Sequence, residues 1–198
     1  NGEWMKVKGV CLHHDAGVLG AVVPPEVWER RLRNLKEIGV NAIRMSHNPQ
    51  APVLYDLCDR MGFLVMDEAS DEWEFPKRKW VKGWNKGEPG YDGSFDFFEE
   101  WIEQDVTDMV RRDRNHPSIF MWSIGNEVNE QSRTGGGKVA KFLQDICHRE
   151  DPTRPVTVGM DRPDHAMKNQ FAAVLDVPGL NYRLHRYEES YKRMPQRM

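Results

Sequence analysis

The chain has 198 residues, 39% hydrophobic and 30% charged, enough for one sizeable core. Its 28 Lys and Arg stand against 31 Asp and Glu, and the formal charge of −3 lacks the basic surplus of a dedicated nucleic-acid binder. No apolar run approaches the about 18 residues of a membrane helix. Three scattered cysteines, Cys11, Cys58 and Cys147, argue against both a disulfide framework and a thiolate zinc site. The opening Asn1-Gly2-Glu3-Trp4 has neither an initiator Met nor a signal-peptide pattern, so the segment is expected to be part of a longer chain.

Short apolar strands alternate with amphipathic helices. Residues 6–12 predict a first strand. Pro24-Pro25 opens a helix with Trp28, Leu32, Leu35 and Ile38 on one face, and Gly39 ends it. Residues 42–45 predict a second strand. After Asn48-Pro49, the spacing of Val53, Leu54, Leu57, Cys58 and Met61 predicts a second helix ending at Gly62. Residues 63–66 predict a third strand with Asp67-Glu68 following it. A long polar stretch, about residues 69–94, shows no helical period, and loops of that length in compact domains are often functional. Phe95, Phe98, Ile102, Val106, Met109 and Val110 then mark a third helix. Residues 119–124 form a continuous apolar run, the pattern of a parallel strand covered on both faces. Gly135-Gly136-Gly137 reads as a flexible break. Val139, Phe142, Leu143, Ile146 and Cys147 mark a fourth helix, and residues 156–159 and 178–182 predict two more strands.

Such a βαβα series implies a parallel sheet. No glycine-rich phosphate turn follows the first strand. Polar residues instead gather after nearly every strand: His13, His14 and Asp15; Ser46, His47 and Asn48; Asp67 and Glu68; Asn126 and Glu127; Asp161; Asn181 and Tyr182. A (β/α)8 TIM barrel carries its active site at that rim. Eight units need about 250 residues, so the expectation is an incomplete barrel with about six of eight strands, forming a single domain over residues 1–198.

Glu127 is the leading catalytic candidate. A carboxyl directly after an apolar strand is partly desolvated, which raises its pKa and suits it to proton donation. Asn126 beside it can donate to a substrate hydroxyl. In the long loop, Trp73, Trp80 and Trp84 lie near Phe75 and Tyr91, and indoles pack well on the C–H faces of sugars. Trp73 is the one expected to line a pocket; anchoring of the loop is the competing role. Trp28, Trp101 and Trp122 fall within helix or strand patterns and are expected in the core. His13 and His14, adjacent on an extended strand, face opposite ways and make a poor metal pair.

Four strings carry a family resemblance. Residues 115–127, NHPSIFMWSIGNE, resemble the acid/base signature of glycoside hydrolase family 2. Residues 8–15 (KGVCLHHD), 41–49 (NAIRMSHNP) and 66–73 (MDEASDEW) agree in order and spacing with the catalytic barrel of family 2 β-galactosidases. The resemblance implies a retaining mechanism that uses two carboxylates about 5–5.5 Å apart. It makes Glu127 the acid/base. The family's nucleophile, a Glu ending the seventh strand, has no match after Tyr182, so it is expected to lie outside this segment. The resemblance also implies that His13 and His47 line the sugar subsite, that Arg44 supports the nucleophile's carboxylate, and that Tyr182 lies near it. Some family members hold Mg²⁺ with a Glu and a His on the loop after the third strand. Glu72 fits the first position, but Glu74 stands at the second, so no cofactor is expected.

The function implied is release of a terminal β-linked sugar, with a β-galactoside favoured over a β-glucuronide or β-mannoside. The partners implied are a carbohydrate substrate and flanking β-sandwich domains in the parent chain, with neither nucleic acid nor membrane. A non-catalytic carbohydrate-binding module on a degenerate barrel is the reading from a different class. Edge strands of a partial barrel are open to association, so an oligomer is possible. The sequence leaves the compartment open.

Overall fold

The computed structural model describes residues 2–80, 82, 87–91, 93–194 and 196. Trp84 lies outside the described residues. Six strands make one parallel sheet: β1 (Gly9–Leu12), β2 (Ala42–Met45), β3 (Leu64–Glu68), β6 (Ile119–Asn126), β7 (Val156–Met160) and β8 (Val177–Leu180). A two-residue hairpin, β4 (Lys79–Trp80) with β5 (Pro89–Gly90), lies inside the long loop.

The strand order is β1-β2-β3-β6-β7-β8 and never reverses. A doubly wound sheet would turn back at a switch point. Right-handed crossovers that all step the same way place the helices on one face and leave the other to polar side chains. These are six consecutive strands of a TIM barrel.

Three longer helices follow from patterns legible in the sequence. In α1 (Pro25–Glu37), Pro25 occupies the first turn, where its missing N–H costs nothing, and Trp28 and Leu32 are fully buried. Ile38 is 77% exposed, so the apolar face stops one turn earlier than its spacing suggests. In α2 (Pro52–Met61), Gly62 caps the C-terminus in the left-handed region at φ 70° and returns its N–H to the Cys58 carbonyl. A 3₁₀ turn, Ser94–Phe97, leads into α3 (Phe98–Asp113), which buries Val106, Met109 and Val110. Trp101 corrects its core assignment. It shares the solvent face of α3 with Gln104 and Asp108 and is 48% exposed.

The triple glycine is not a break. Gly136 and Gly137 begin α4 (Gly136–Glu150), and a Cβ on Gly136 would collide with the Glu130 carbonyl. Two short helices, α5 (Pro163–Lys168) and α6 (Tyr187–Arg193), were not expected; each is too short to show a helical period. Trp28, Trp122, Tyr55, Ile43, Val65 and Leu143 are among the side chains that fill the core.

The rim residues Asp67, Glu68 and Asn126 lie within the sheet rather than after it, because β3 runs on to Glu68 and β6 to Asn126. Strand alternation then sends Asp67 and Glu68 to opposite faces. Asp67 goes to Tyr55 of the helix layer, and Glu68 to Arg44 on the polar face.

Candidate active site

The polar face is organised around Glu68, whose side chain is fully buried. Its Oε2 accepts from Arg44 Nε at 2.8 Å, Arg44 Nη2 at 2.6 Å and Ser123 Oγ at 2.6 Å. Its Oε1 accepts from His47 Nδ1 at 2.5 Å. In the neutral ring with its proton on Nδ1, Nε2 is an acceptor. Arg44 also reaches the Asn126 Oδ1 at 2.8 Å, and Asn126 Nδ2 stands 3.4 Å from His47 Nε2. One carboxylate thus orients an arginine from β2, a serine from β6 and the histidine after β2.

Glu127 follows β6 with φ 48°, the left-handed region that non-glycine residues rarely enter. Such strained residues cluster at functional sites. Its N–H bonds the Gly159 carbonyl at 2.7 Å, where the β6–β7 register is irregular. Its Oε1 accepts from Asn181 Nδ2 at 2.8 Å, and the side chain remains half-buried. Asn181 Nδ2 also reaches Asn126 Oδ1 at 2.9 Å, so one amide spans both residues of the Asn-Glu pair. Tyr182, just past β8, also has positive φ, at 62°. Its phenol, though largely exposed, is raised above the ordinary tyrosine range by the negative charge of Glu127 beside it.

Gly159 makes this crowding possible. A Cβ there would sit 2.9 Å from Arg44 Nη2, 3.0 Å from Asn181 Oδ1 and 3.2 Å from Asn126 Oδ1. The two histidines after β1 part as their alternation predicts. His13 stands edge-on to His47 with ring centroids 5.2 Å apart, while His14 turns to Trp28 and Gln50.

The structure therefore brings together Glu127, Asn126, Arg44, His47, His13 and Tyr182. It does not bring Trp73 with them. Trp73 is wholly inaccessible, its Nε1 donates to the Ile124 carbonyl at 2.9 Å, and its ring packs on Phe171 with centroids 5.7 Å apart. The expectation that it lines a sugar pocket is corrected: the indole pins the long loop to β6. The same loop is fastened by Phe75 N–H to Glu130 at 3.0 Å, by Asn129 to the Pro76 carbonyl at 2.7 Å, and by Lys77 Nζ to the Asn126 carbonyl at 2.6 Å. Phe75 lies under the Arg133 guanidinium and Trp80 under that of Arg78, at 3.7 and 4.4 Å from the ring centres. Glu68, Ser123, Asn181, Lys77 and Gly159 had no assigned role in the sequence. Only Glu68 and Asn181 left a signal there, as polar residues at strand ends.

Glu72, the first expected magnesium ligand, is buried. Its Oε1 accepts the Lys77 N–H at 2.7 Å, and its Oε2 faces the Lys79 ammonium at 3.2 Å. A Cβ on Gly93 would collide with the same oxygen. Glu74, at the second position, is exposed. Here the expected Glu–His pair is absent, and a lysine ammonium stands against the Glu72 carboxylate, whose Oε2 accepts no hydrogen bond. Among the described residues, the one group with metal-ligand spacing is Asp56, Asp59 and His116. It lies at the far end of β6 from Glu127, and Asp59 is already bonded to His116 at 2.6 Å and to the Ser118 N–H at 2.9 Å.

Residues 1–195 match the family described as glycosyl hydrolases family 2, TIM barrel domain. The chain belongs to that family. Among its family 2 relatives is the β-galactosidase BoGH2A of Bacteroides ovatus, 43% identical over 92% of this chain. A β-glucuronidase of Bacteroides fragilis is 33% identical over 79% of it. The crystal structure of a family 2 member from Bacteroides cellulosilyticus superposes over the whole chain with TM-score 0.86 and 41% identity. The chain spans 24% of the B. ovatus protein, 21% of the B. fragilis protein and 24% of the B. cellulosilyticus structure.

Proposed function

We propose that residues 1–198 are one partial barrel domain that supplies the acid/base side of a retaining β-glycosidase site, acting on a terminal β-galactoside. The observation that carries this reading is the state of Glu127. It is a half-buried carboxyl at the end of an apolar strand, steadied at one oxygen by Asn181 and placed beside Asn126, in the network that includes His47. In the first step Glu127 donates its proton to the glycosidic oxygen; in the second it takes a proton from the attacking water. The second carboxylate comes from outside this segment. Asn126 Nδ2, only loosely held by His47, donates to a sugar hydroxyl. His47 Nε2 accepts from another, and His13 and Tyr182 border the same space. Arg44 braces the pocket's charge.

No magnesium takes part, because Lys79 balances Glu72 within the loop. Flanking β-sandwich domains complete the parent protein. The name of the B. ovatus relative supports the galactoside. The name of the B. fragilis relative supports a second reading, a β-glucuronide. The intact Asn126–Glu127 pair and its supporting bonds weigh against a non-catalytic module.

The test uses the full-length protein with nitrophenyl β-galactoside and β-glucuronide. Galactoside turnover should exceed glucuronide turnover, and the first-formed sugar should be the β-anomer. Glu127→Gln should lower kcat/KM by about 10²–10⁴ on a poor leaving group, the usual contribution of general acid–base catalysis. The loss should be smaller on dinitrophenyl glycosides, whose leaving group needs no proton. An equal loss on both leaving groups, or none, sinks the assignment.

A further inference from the structure

The two imidazoles of the site come from different strands, yet their backbones meet at one buried side chain. Gln50, only 2% exposed, lies just beyond the loop that follows β2. Its Nε2 donates to the Leu12 carbonyl at 3.1 Å and the Ser46 carbonyl at 3.3 Å. Those carbonyls belong to the residues directly before His13 and His47. Its Oε1 faces His14 Nδ1 at 3.1 Å, on the other side of His13. One carboxamide therefore uses both donors and its acceptor to tie the end of β1 to the end of β2, at the two positions that present histidines to the pocket.

Gln50 is itself held. Its N–H donates to the Tyr55 hydroxyl at 2.9 Å, and that hydroxyl donates to Asp67 Oδ1 at 2.6 Å. Both Tyr55 and Asp67 are wholly buried. Burial pushes the Asp67 carboxyl well above the usual range, the charge of Asp113 adds to that, and the Tyr55 bond opposes it. Asp67 Oδ2 has no hydrogen-bond partner. The chain Asp67–Tyr55–Gln50 runs through the helix side of the sheet and touches none of the polar-face residues that would contact a sugar.

We propose that Gln50, locked by Tyr55 and Asp67, is the positioning residue that sets the spacing of His13 and His47 in the pocket. This rests on the reading of the site as a glycosidase centre. A carboxamide is suited to the task because it carries two donors and an acceptor in one rigid plane. Misplacing a binding group by about 1 Å can cost up to about 10²-fold in rate, so a clamp remote from the chemistry can matter to it.

Four single variants of the full-length protein and one double variant test the proposal. Tyr55→Phe keeps the ring and removes the hydroxyl; Gln50→Leu removes the carboxamide. Both should speed amide exchange in the peptide covering residues 46–50, read by hydrogen–deuterium exchange, and lower kcat/KM about tenfold. Asp67→Asn keeps the oxygen that accepts from Tyr55, so it should stay within about threefold of wild type. In a His47→Gln background, Tyr55→Phe should cost less than a further factor of two. Unchanged exchange at residues 46–50 in both Tyr55→Phe and Gln50→Leu overturns the proposal, and this readout does not depend on turnover. So does a tenfold loss from Tyr55→Phe that persists in the His47→Gln background, because the effect then does not pass through His47. A wild-type protein that hydrolyses no β-glycoside defeats the functional reading instead, and the exchange measurement still decides whether the clamp exists.

Discussion

Replacing Trp73 with Phe separates a loop bolt from a sugar platform. Trp73 is fully buried, and its indole N–H is the donor to the Ile124 carbonyl. Phenylalanine leaves that carbonyl in the core without a partner, at a cost of about 1–3 kcal/mol. The smaller ring also opens space against Phe171 and Gly125, where a Cβ on Gly125 would lie 3.0 Å from the indole. A partly filled void adds roughly 1 kcal/mol. The sum, about 2–4 kcal/mol, corresponds to a fall of about 5–15 °C in the barrel's melting transition at 2–4 °C per kcal/mol. Scanning calorimetry of the full-length protein measures that transition, and steady-state kinetics on the nitrophenyl glycoside gives KM. The expected result is a lower melting temperature with KM within about twofold of wild type. A melting temperature unmoved by more than a degree, together with a tenfold rise in KM, refutes the reasoning and returns the indole to the pocket.

Three further outcomes follow from the same geometry. Gly159→Ala should lower kcat/KM with little loss of stability, because the new methyl meets Arg44 Nη2 and Asn181 Oδ1 at about 3 Å, both ends of movable side chains; wild-type kinetics would show that the β7 backbone need not lie so close. Asp151 is buried, which disfavours its charge, but Thr153, Arg154 and Trp122 outweigh that and hold its carboxyl down at about 2. Against an unfolded value of about 3.9, this depressed carboxyl contributes about 2.5 kcal/mol that is fully present above about pH 4 and lost as pH falls through about 2. Asp151→Asn should therefore be destabilised at neutral pH and converge on wild type as the solution is acidified; a gap that stays constant down to pH 2 contradicts the assignment. Dialysis against a chelator should leave kcat/KM and the melting temperature unchanged, since Lys79 serves Glu72, and a tenfold recovery on adding Mg²⁺ would refute that.

Glu127 was legible because nothing polar competes with it: a run of apolar residues ends in Asn126-Glu127, and the side chain's surroundings follow from the strand. Glu68 was visible as a rim carboxylate but not as an organiser. Alternation separates it from Asp67, yet only the β2–β3–β6 register shows which of the two meets Arg44 and Ser123. Gly159 carries no local signal, because the side chains that exclude a Cβ come from β2, β6 and the residue after β8. Trp73 misled for a related reason. A tryptophan in a polar loop looks available to a ligand, but whether the loop folds over its own aromatic is settled by Ile124 and Phe171, far away in sequence. The triple glycine misled because flexibility in isolation says nothing about the close approach that Gly136 makes to Glu130.

The division of labour between Glu68 and Glu127 follows from counting donors. Glu68 accepts two bonds from Arg44, one from Ser123 and one from His47, and its side chain meets no solvent. To attack a sugar carbon it would have to abandon bonds that are each strengthened by charge, and the arginine and histidine it orients would lose their positions. Its chemistry is therefore that of a fixed anchor. Glu127 has the opposite character. The Asn181 amide steadies one oxygen, the side chain is half-buried, and the left-handed backbone turns the residue out of the strand. Under the proposed mechanism Glu127 gives up a proton and regains it within one cycle, and that freedom suits the task. Glu72 is committed to Lys77 and Lys79, and Asp161 is bonded to Gln131. Under the proposed retaining mechanism, the carboxylate that attacks the sugar thus comes from outside these residues, facing Glu127 across the about 5–5.5 Å that covalent catalysis requires.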